Sequence, residues 1–308
     1  MRAAAFFEPG PPEVLQVVEL PDPHPGPDEV RVRVRAAGVQ PADVAVRSSG
    51  AAPPGTTVAY PQIPGNEFAG VVDEVGSAVT GIVPGDAVLG FRTLGCAAEL
   101  VTAPAAQVVH KPAEVPWAVA GALSASGQTA HTALQALEVG EGDTVLIHAA
   151  AGGVGTVAVQ LARLWGATVI GTASERNHAY LRSLGAIPVA YGPGLVERVR
   201  EVAPQGVSAA LDAIGGDALH ASLELVKDPE RIGTLVDFEL ADRLGVRKLR
   251  TDRRAGRLQE LVDLVARGAL RITISGEHPL AGAADAHRAV ERRHGRGKIV
   301  IVPTADDA

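Results

Sequence analysis

The chain has 308 residues, of which 46% are hydrophobic and 20% are charged, and it contains a single cysteine. This length allows two domains, each with its own core, and one cysteine excludes an intrachain disulfide and a multi-cysteine zinc site. The net charge of −7 argues against a nucleic-acid surface, because phosphate binding needs an excess of Lys and Arg.

The sequence gives no sign of a membrane or secretory protein. No apolar run approaches the roughly 20 residues that span a bilayer. The opening MRAAAFFEPG is too short and wrongly patterned for a secretory signal. We therefore expect a cytoplasmic protein.

The first long predicted strand is the segment EVRVRVRAAG, from Glu29 to Gly38. Its valines alternate with arginines, so one face is apolar and the other is charged. Such alternation is typical of an antiparallel sheet with one face in water. The N-terminal part of the chain therefore predicts an antiparallel β-structure.

A glycine-rich turn in the middle of the chain is the strongest functional signal. The apolar strand Thr144–His148 leads into it, the helix Val154–Trp165 follows, and Ala167–Thr172 predicts a second strand. This order makes a βαβ unit of about thirty residues, in which free amides at the helix start attract a pyrophosphate. Ala150 replaces the first glycine of the usual motif, and alanine can make the tight turn if its φ stays negative. The candidate cofactor-binding residues of the turn are Gly152, Gly153, Val154 and Gly155.

Short apolar runs and helical patterns continue to alternate after this unit. Such alternation predicts a parallel, doubly wound sheet. Predicted strands are Leu184–Tyr191, Val207–Asp212, Arg231–Phe238 and Arg243–Thr251, with helices at Leu195–Val202 and Asp217–Val226.

Four separated motifs occur in the order known from one family. They are TVLIHAAAGGVG (144–155), PGNEFAGVVDEVG (64–76), VPGDAVLG (83–90) and PLAGAADAHRAVERRHGRGKIVI (279–301). The chain resembles the medium-chain dehydrogenase/reductase superfamily, and within it the zinc-independent quinone oxidoreductase group that includes zeta-crystallin. The resemblance implies an α/β fold: a Rossmann doubly wound parallel sheet plus a GroES-like, partly open β-barrel catalytic domain. The expected ranges are 1–115 with 272–308 for the catalytic domain and 116–271 for the dinucleotide-binding domain.

The resemblance also implies an enzyme without zinc. Gln40 stands where zinc alcohol dehydrogenases have a metal-binding cysteine, and Asn66 stands where they have a histidine. Amide side chains are not zinc ligands of the usual kind. Gln40 and Asn66 thus become candidate substrate contacts, and family placement makes Glu67 and Asp86 structural carboxylates that cap turns.

The residues after the second strand of the βαβ unit bear on the cofactor. An acid there holds the ribose hydroxyls of NAD, whereas a hydroxyl with a cation suits the extra phosphate of NADP, and Ser174, Glu175 and Arg176 offer both kinds. Relatives with an equivalent serine and arginine use NADPH, and Tyr191 matches a tyrosine beside the same phosphate. The resemblance therefore favours NADPH, with Ser174, Arg176 and Tyr191 as contacts.

Three further site residues follow from the resemblance alone. Thr129 matches a threonine beside the nicotinamide ribose, Gly215 lies in a turn that approaches the nicotinamide, and Lys298 matches a lysine near the cofactor. His131 replaces an aromatic residue of the family. A histidine packed on a helix face is the simpler interpretation of it, and a general acid is the alternative.

The function implied is hydride transfer from NADPH to a quinone or a conjugated enone or enoyl double bond, without zinc, with Gln40, Asn66 and Thr129 as the catalytic candidates. Ala45 departs from the family, which has a tyrosine there. That loss leaves open two alternatives: a cofactor-binding auxiliary protein, and a cyclase or isomerase with little net redox turnover. The expected partner is a small-molecule substrate, and the relatives imply a homodimer.

Overall fold

The computed structural model describes residues 1–53, 55–292 and 295–303. Strands dominate toward both ends of the chain and alternate with helices in its middle. In chain order the strands are β1 Arg2–Ala5, β2 Gln16–Glu19, β3 Glu29–Val39, β4 Glu67–Val75, β5 Ala87–Phe91, β6 Leu100–Pro104, β7 Val108–His110, β8 Thr144–Ile147, β9 Thr168–Ala173, β10 Ile187–Ala190, β11 Ala209–Asp212, β12 Ile232–Thr234, β13 Arg247–Lys248, β14 Ile274–Pro279 and β15 Lys298–Val302. The helices are α1 Pro41–Ser49, α2 Trp117–Ala120, α3 Leu123–Ala136, α4 Gly153–Leu164, α5 His178–Ser183, α6 Leu195–Val202, α7 Asp217–Leu225, α8 Phe238–Leu244, α9 Ala255–Ala266 and α10 Ala283–Glu291.

The chain forms two compact units. Unit 1 comprises Met1–Ala125 and Arg253–Ala308, and unit 2 comprises Ser126–Asp252. The predicted domain ranges stay a prediction, and they differ from these units at both boundaries. The physical reason is packing: α2 lies against β3 and β4, and α9 lies against β7, so both helices belong with unit 1.

Unit 1 is built on a mostly antiparallel sheet. Among the described residues its strand order is β14-β15-β3-β4-β5-β7, with β6 also paired to β3. The predicted alternation in β3 is confirmed, since Val30, Val32 and Val34 are fully buried. Each such buried valine stabilises the fold by about 1.5–3 kcal/mol.

Unit 2 contains the parallel sheet predicted from the alternating pattern. In the part of the chain that the structure describes, its six strands lie in the order β10-β9-β8-β11-β12-β13, and every neighbouring pair is parallel. The strand order reverses beside β8, the first strand of the unit, as in a doubly wound sheet. Leu146, Ile170 and Ala210 are buried in the centre of the sheet with Val199 and Leu219 of the covering helices. The predicted Rossmann fold class is confirmed.

The last strand of unit 2 differs from its prediction. The segment Arg243–Thr251 was expected to be extended, yet α8 runs to Leu244 and β13 contains only Arg247 and Lys248. Gly245, with a φ of 69°, ends the helix and redirects the chain. Within the described ranges, no helix has the length and apolar character needed to cross a bilayer.

Candidate functional site

The glycine-rich turn joins the end of β8 to the start of α4. Ala150, at the position of the motif's first glycine, is fully buried and has a negative φ, as the sequence requires. The left-handed conformation falls one residue earlier, on Ala149, whose φ is 53°. Non-glycine residues adopt this region at a cost of about 1–2 kcal/mol. The surrounding hydrogen bonds therefore hold Ala149 in place: its N–H donates to the Thr172 hydroxyl at 3.3 Å.

Gly155 lets α4 approach the turn closely. A Cβ on Gly155 would lie 2.4 Å from the carbonyl oxygen of Ala149 and 2.6 Å from the Cα of Ala150. Gly152 precedes the helix with extended backbone and has no side chain to cap it. The first N–H groups of a helix have no acceptor within it, and they carry the positive end of the helix dipole. This start of α4 is therefore suited to bind a pyrophosphate.

The three residues predicted to recognise the NADPH phosphate lie at one edge of the parallel sheet. Ala173 and Ala190 are paired at the ends of β9 and β10, so Ser174 and Tyr191 are the next residues on neighbouring strands. Tyr191 is 56% exposed, and Arg176 is exposed in a short 3-10 turn directly after Ser174. This edge is the carboxyl end of the strands, where cofactors bind in such sheets.

The Gly215 turn follows β11 at the same edge. Gly215 has a φ of 83°, and its N–H donates to both Asp212 carboxylate oxygens at 2.9 and 3.1 Å. Asp212 is fully buried and also accepts a 2.6 Å hydrogen bond from the Thr234 hydroxyl. Because Gly215 N–H is engaged, a cofactor contact at Gly215 would use its carbonyl or Cα, and that contact stays a prediction.

His148 lies directly beneath the glycine-rich turn. Its Nε2 is 3.0 Å from the Ser222 hydroxyl, and its Nδ1 is 3.4 Å from the Thr172 hydroxyl. Ser222 donates its own hydrogen to Ala218 O, so the hydroxyl accepts from Nε2–H and the imidazole is the Nε2-protonated tautomer. Burial lowers the pKa of His148 to about 4. A neutral histidine therefore joins β8, β9 and α7 below the turn.

Thr129 and His131 lie on α3 within unit 2. The Thr129 hydroxyl is 2.7 Å from that of Thr251, and either can donate. The His131 ring packs edge-on against Trp165 with ring centres 5.1 Å apart. This contact agrees with a packed histidine, and the substrate role of Thr129 stays a prediction.

Unit 1 contains a buried polar cluster, which consists of Gln40, Asp43, Asn66, Glu67 and Lys298. Each of these residues is 9% exposed or less. Sheet register explains their meeting: Ile299 is paired with Val39 in antiparallel strands, so Lys298 lies beside Gln40. The structure thus brings together both predicted substrate contacts of unit 1 and a lysine predicted to contact the cofactor.

Glu67 is the centre of the polar cluster. Its carboxylate accepts from Lys298 Nζ at 3.0 Å, from the Ala125 N–H at 2.6 Å and from the side-chain amide of Gln40. Asp86 caps a turn, as predicted, by accepting from Val83 N–H at 2.8 Å. Glu67 accepts a backbone N–H in the first turn of α3 and, beyond the prediction, forms a buried ion pair. Gly38 is required beside it, because a Cβ there would lie 2.0 Å from Glu67 Oε1. Lys298 is 4% exposed and its ammonium is held by Glu67, and its predicted cofactor contact is untested.

Asp43 holds the backbone beside the two amide side chains, Gln40 and Asn66. It accepts hydrogen bonds from Gln40 N–H at 2.8 Å, Gly65 N–H at 3.2 Å and the Asn66 side chain at 3.3 Å. Burial raises the pKa of this carboxyl to about 7, although the hydrogen bonds and Lys298 act in the opposite direction. Asp43 was not singled out from sequence. Its position three residues after the helix-capping Gln40 was an available signal.

The polar cluster does not fit a zinc site. Tetrahedral zinc takes thiolate, imidazole or carboxylate ligands, whereas Gln40 and Asn66 supply amides. The carboxylate oxygen that accepts from the Gln40 amide, Glu67 Oε1, also accepts a hydrogen bond from the Lys298 ammonium. Among the residues that the structure describes, no group of three or more His, Cys, Asp or Glu could hold a metal ion. Burial raises the pKa of the lone Cys96 thiol to about 12, so it is a thiol and not a thiolate.

Comparison with known proteins agrees with this architecture. The family model described as "Alcohol dehydrogenase GroES-like domain" matches residues 26–113, and the one described as "Zinc-binding dehydrogenase" matches residues 184–301. A quinone oxidoreductase of Pseudomonas aeruginosa is 34% identical, over 96% of this chain and 97% of its own length.

Solved structures give the same result. The quinone oxidoreductase of Coxiella burnetii has a TM-score of 0.87 and 33% identity, with 99% of both chains covered. The quinone oxidoreductase of Escherichia coli, solved in complex with NADPH, has a TM-score of 0.87 and 28% identity, and covers 98% of this chain and 100% of its own. The fold, with its GroES-like unit and its doubly wound sheet with a glycine-rich helix start, agrees with this level of identity. The chain therefore belongs to the quinone oxidoreductase family of medium-chain dehydrogenases/reductases.

Proposed function

We propose that the protein is an NADPH-dependent oxidoreductase that reduces a quinone or a conjugated enone or enoyl double bond by hydride transfer, without zinc. The observation that carries this proposal is the start of α4. Its glycines leave backbone amides and the helix dipole free to hold a pyrophosphate at the carboxyl edge of a parallel sheet.

Residues of unit 2 support NADPH as the cofactor. Gly152, Gly153, Val154 and Gly155 would hold the pyrophosphate. Ser174, Arg176 and Tyr191 follow two paired strands, and a hydroxyl, a guanidinium and a phenol are suited to bind the additional phosphate. NADPH, when bound, supplies the hydride. The E. coli relative was solved with NADPH, which is consistent with this choice.

Residues of unit 1 support a conjugated acceptor. The amide nitrogens of Gln40 and Asn66 each donate one hydrogen bond to a buried carboxyl group, Glu67 or Asp43. Each nitrogen carries a second N–H, which can donate to an acceptor oxygen. Fixed donors of this kind stabilise an oxygen that gains negative charge, as an enolate or hydroquinone oxygen does.

The polar cluster also supports chemistry without zinc. A simple carbonyl needs a Lewis acid to accept hydride readily, whereas a conjugated acceptor delocalises the added charge. The amide side chains of Gln40 and Asn66 supply no Lewis acid, so they suit a conjugated acceptor. Since Ala45 has no ionisable group, the final proton would come from water.

The test is oxidation of NADPH by purified protein with a panel of quinones and enones, followed in a stopped-flow spectrophotometer. We expect turnover with at least one acceptor, NADPH preferred to NADH, and no stoichiometric zinc by elemental analysis. NADPH binding without turnover of any panel member contradicts the proposal and favours the auxiliary role that Ala45 suggests. Product formation without net NADPH oxidation favours a cyclase or isomerase.

The homodimer stays a prediction that rests on the resemblance to the relatives. A homodimer formed by edge strands would use β13 or β10, the outer strands of the described sheet. Light scattering on the purified protein measures the mass directly.

A further inference from the structure

Arg253 places a positive charge beside the predicted substrate contacts of unit 1. Its Nη1 donates to the backbone oxygen of Asn66 at 2.8 Å and lies 3.4 Å from the Asn66 side-chain oxygen. Its guanidinium carbon is 5.7 Å from the centre of the Phe91 ring. Arg253 is half-buried and directly precedes Arg254, the residue at the N-cap position of α9. In the sequence it belongs to a locally basic run from Arg243 to Arg257, for which a solvated helix start is the simpler interpretation and a contact with the cofactor phosphate is the alternative.

The contacts of Arg253 leave one side of the guanidinium available. The group has five N–H donors in a planar fork, and its hydrogen bonds to Asn66 involve Nη1 only. Within the residues that the structure describes, Arg253 has no carboxylate partner. The N–H groups on Nε and Nη2 lie parallel to each other, which is the geometry that binds both oxygens of one carboxylate.

Nearby acidic groups are already compensated. Glu67 is paired with Lys298 at 3.0 Å and accepts two further hydrogen bonds. Asp43 accepts three hydrogen bonds and is 1% exposed, and burial raises its pKa to about 7. Among the described residues this half-buried guanidinium has hydrogen bonds to Asn66 but no ion-pair partner, so it can bind an anion from outside the chain.

We propose that Arg253 determines substrate specificity by binding a carboxylate of the acceptor, so that the preferred substrates are conjugated enones or quinones that carry a carboxylate group. The inference rests on the proposed function for the reducing step. It adds the chemical class of the acceptor and the residue that selects it.

The test uses trans-acetylacrylate, an enone with a carboxylate, and its neutral methyl ester. The ratio of kcat/KM for the acid to that for the ester is measured with NADPH for the unaltered protein and for Arg253→Gln, Arg253→Lys and Arg33→Gln. Arg33→Gln removes the same charge from an exposed residue of unit 1 that pairs with Asp73. Comparing this ratio between proteins cancels the difference in intrinsic reactivity between the two acceptors.

We expect Arg253→Gln to lower the ratio about 10- to 100-fold, because a charge-assisted bidentate hydrogen bond is lost. Arg253→Lys should recover part of the ratio, and Arg33→Gln should leave it unchanged. An unchanged ratio in a folded Arg253→Gln protein that still reduces the ester overturns the inference and leaves the proposed function intact.

A binding measurement tests the inference without the variant and without turnover. Levulinate, the saturated product, and its methyl ester are titrated calorimetrically into the unaltered protein with NADPH present. We expect levulinate to bind at least about tenfold more tightly, with the difference falling as salt is added. If levulinate binds no better than its ester, the inference is wrong, even where Arg253→Gln fails to fold. If no acceptor is reduced but levulinate binding requires Arg253, the proposed function fails and the anion site stands.

Discussion

Single side chains in unit 2 set the proposed cofactor preference. Arg176→Ala should lower the ratio of kcat/KM for NADPH to that for NADH about 10- to 100-fold, because a guanidinium bound to phosphate is worth about 1.5–3 kcal/mol. The measurement is steady-state kinetics with both cofactors and one acceptor. Arg182→Ala, an exposed arginine of α5, is the matched control. Equal ratios for all three proteins would rule out Arg176 as the phosphate contact.

Asp43 is the residue on which the geometry of the polar cluster depends. Asp43→Ala removes the acceptor of three N–H groups in a buried place, and each unsatisfied buried donor costs about 1–3 kcal/mol. We expect a clear loss of unfolding free energy in urea. The control is Asp86→Ala, which removes the acceptor of a Val83 N–H at an exposed turn and should cost less. Equal losses would contradict the dependence of the cluster's geometry on Asp43.

The pH dependence of Asp43 has a defined sign. Burial raises its pKa in the folded protein to about 7, above the ordinary value of 3.8. Its contribution to stability is therefore fully present below pH 3.8 and is lost as the pH rises through about 7. Between pH 3.8 and about 7 the Asp43 carboxyl is protonated in the folded protein and ionised in the unfolded chain. Asp43→Asn should flatten this part of the stability profile, and an unchanged slope would show that Asp43 is ionised throughout.

At the scale of elements, the approach of α4 to the end of β8 depends on one glycine. Gly155→Ala would place a Cβ 2.4 Å from Ala149 O, so the helix start must move. We expect a loss of about 1–3 kcal/mol in unfolding free energy and weaker NADPH binding by fluorescence titration. Gly256→Ala is the control, since a Cβ on this α9 residue meets nothing within 4 Å and should stabilise its helix by up to about 1 kcal/mol. Unchanged NADPH affinity in Gly155→Ala would count against the pyrophosphate site.

At the scale of the whole molecule, buried neutral histidines make the fold sensitive to acid. Burial lowers the pKa of His148 to about 4 and that of His287 to about 3. Because these values lie below the ordinary 6.5, their contribution is fully present above pH 6.5 and is lost as the pH falls through the folded values. The slope is at most about 1.4 kcal/mol per pH unit for each proton.

The raised pKa of Asp43 makes the protein more stable as the pH falls from about 7, which opposes the effect of the histidines. The contribution of one histidine is therefore measured as a difference between the unaltered protein and a variant. Urea unfolding of the unaltered protein and of His148→Gln, from neutral pH to pH ~4, isolates the contribution of one imidazole. We expect the variant to lose less stability on acidification. Parallel curves would show that His148 is not protonated on unfolding in this range.

The sequence by itself determined the antiparallel strand β3, the doubly wound sheet and the glycine-flanked helix start, since each depends on a local pattern: valines at period two, strands alternating with helices, and glycines between a strand and a helix. Tertiary structure decided the polar cluster. Gln40, Glu67 and Lys298 are distant in the chain and meet only because β15, β3 and β4 are adjacent strands. For the same reason sequence reasoning did not foresee the ion pair of Glu67 with Lys298 or the hydrogen bonds of Asp43, whose partners lie in segments far away in the chain.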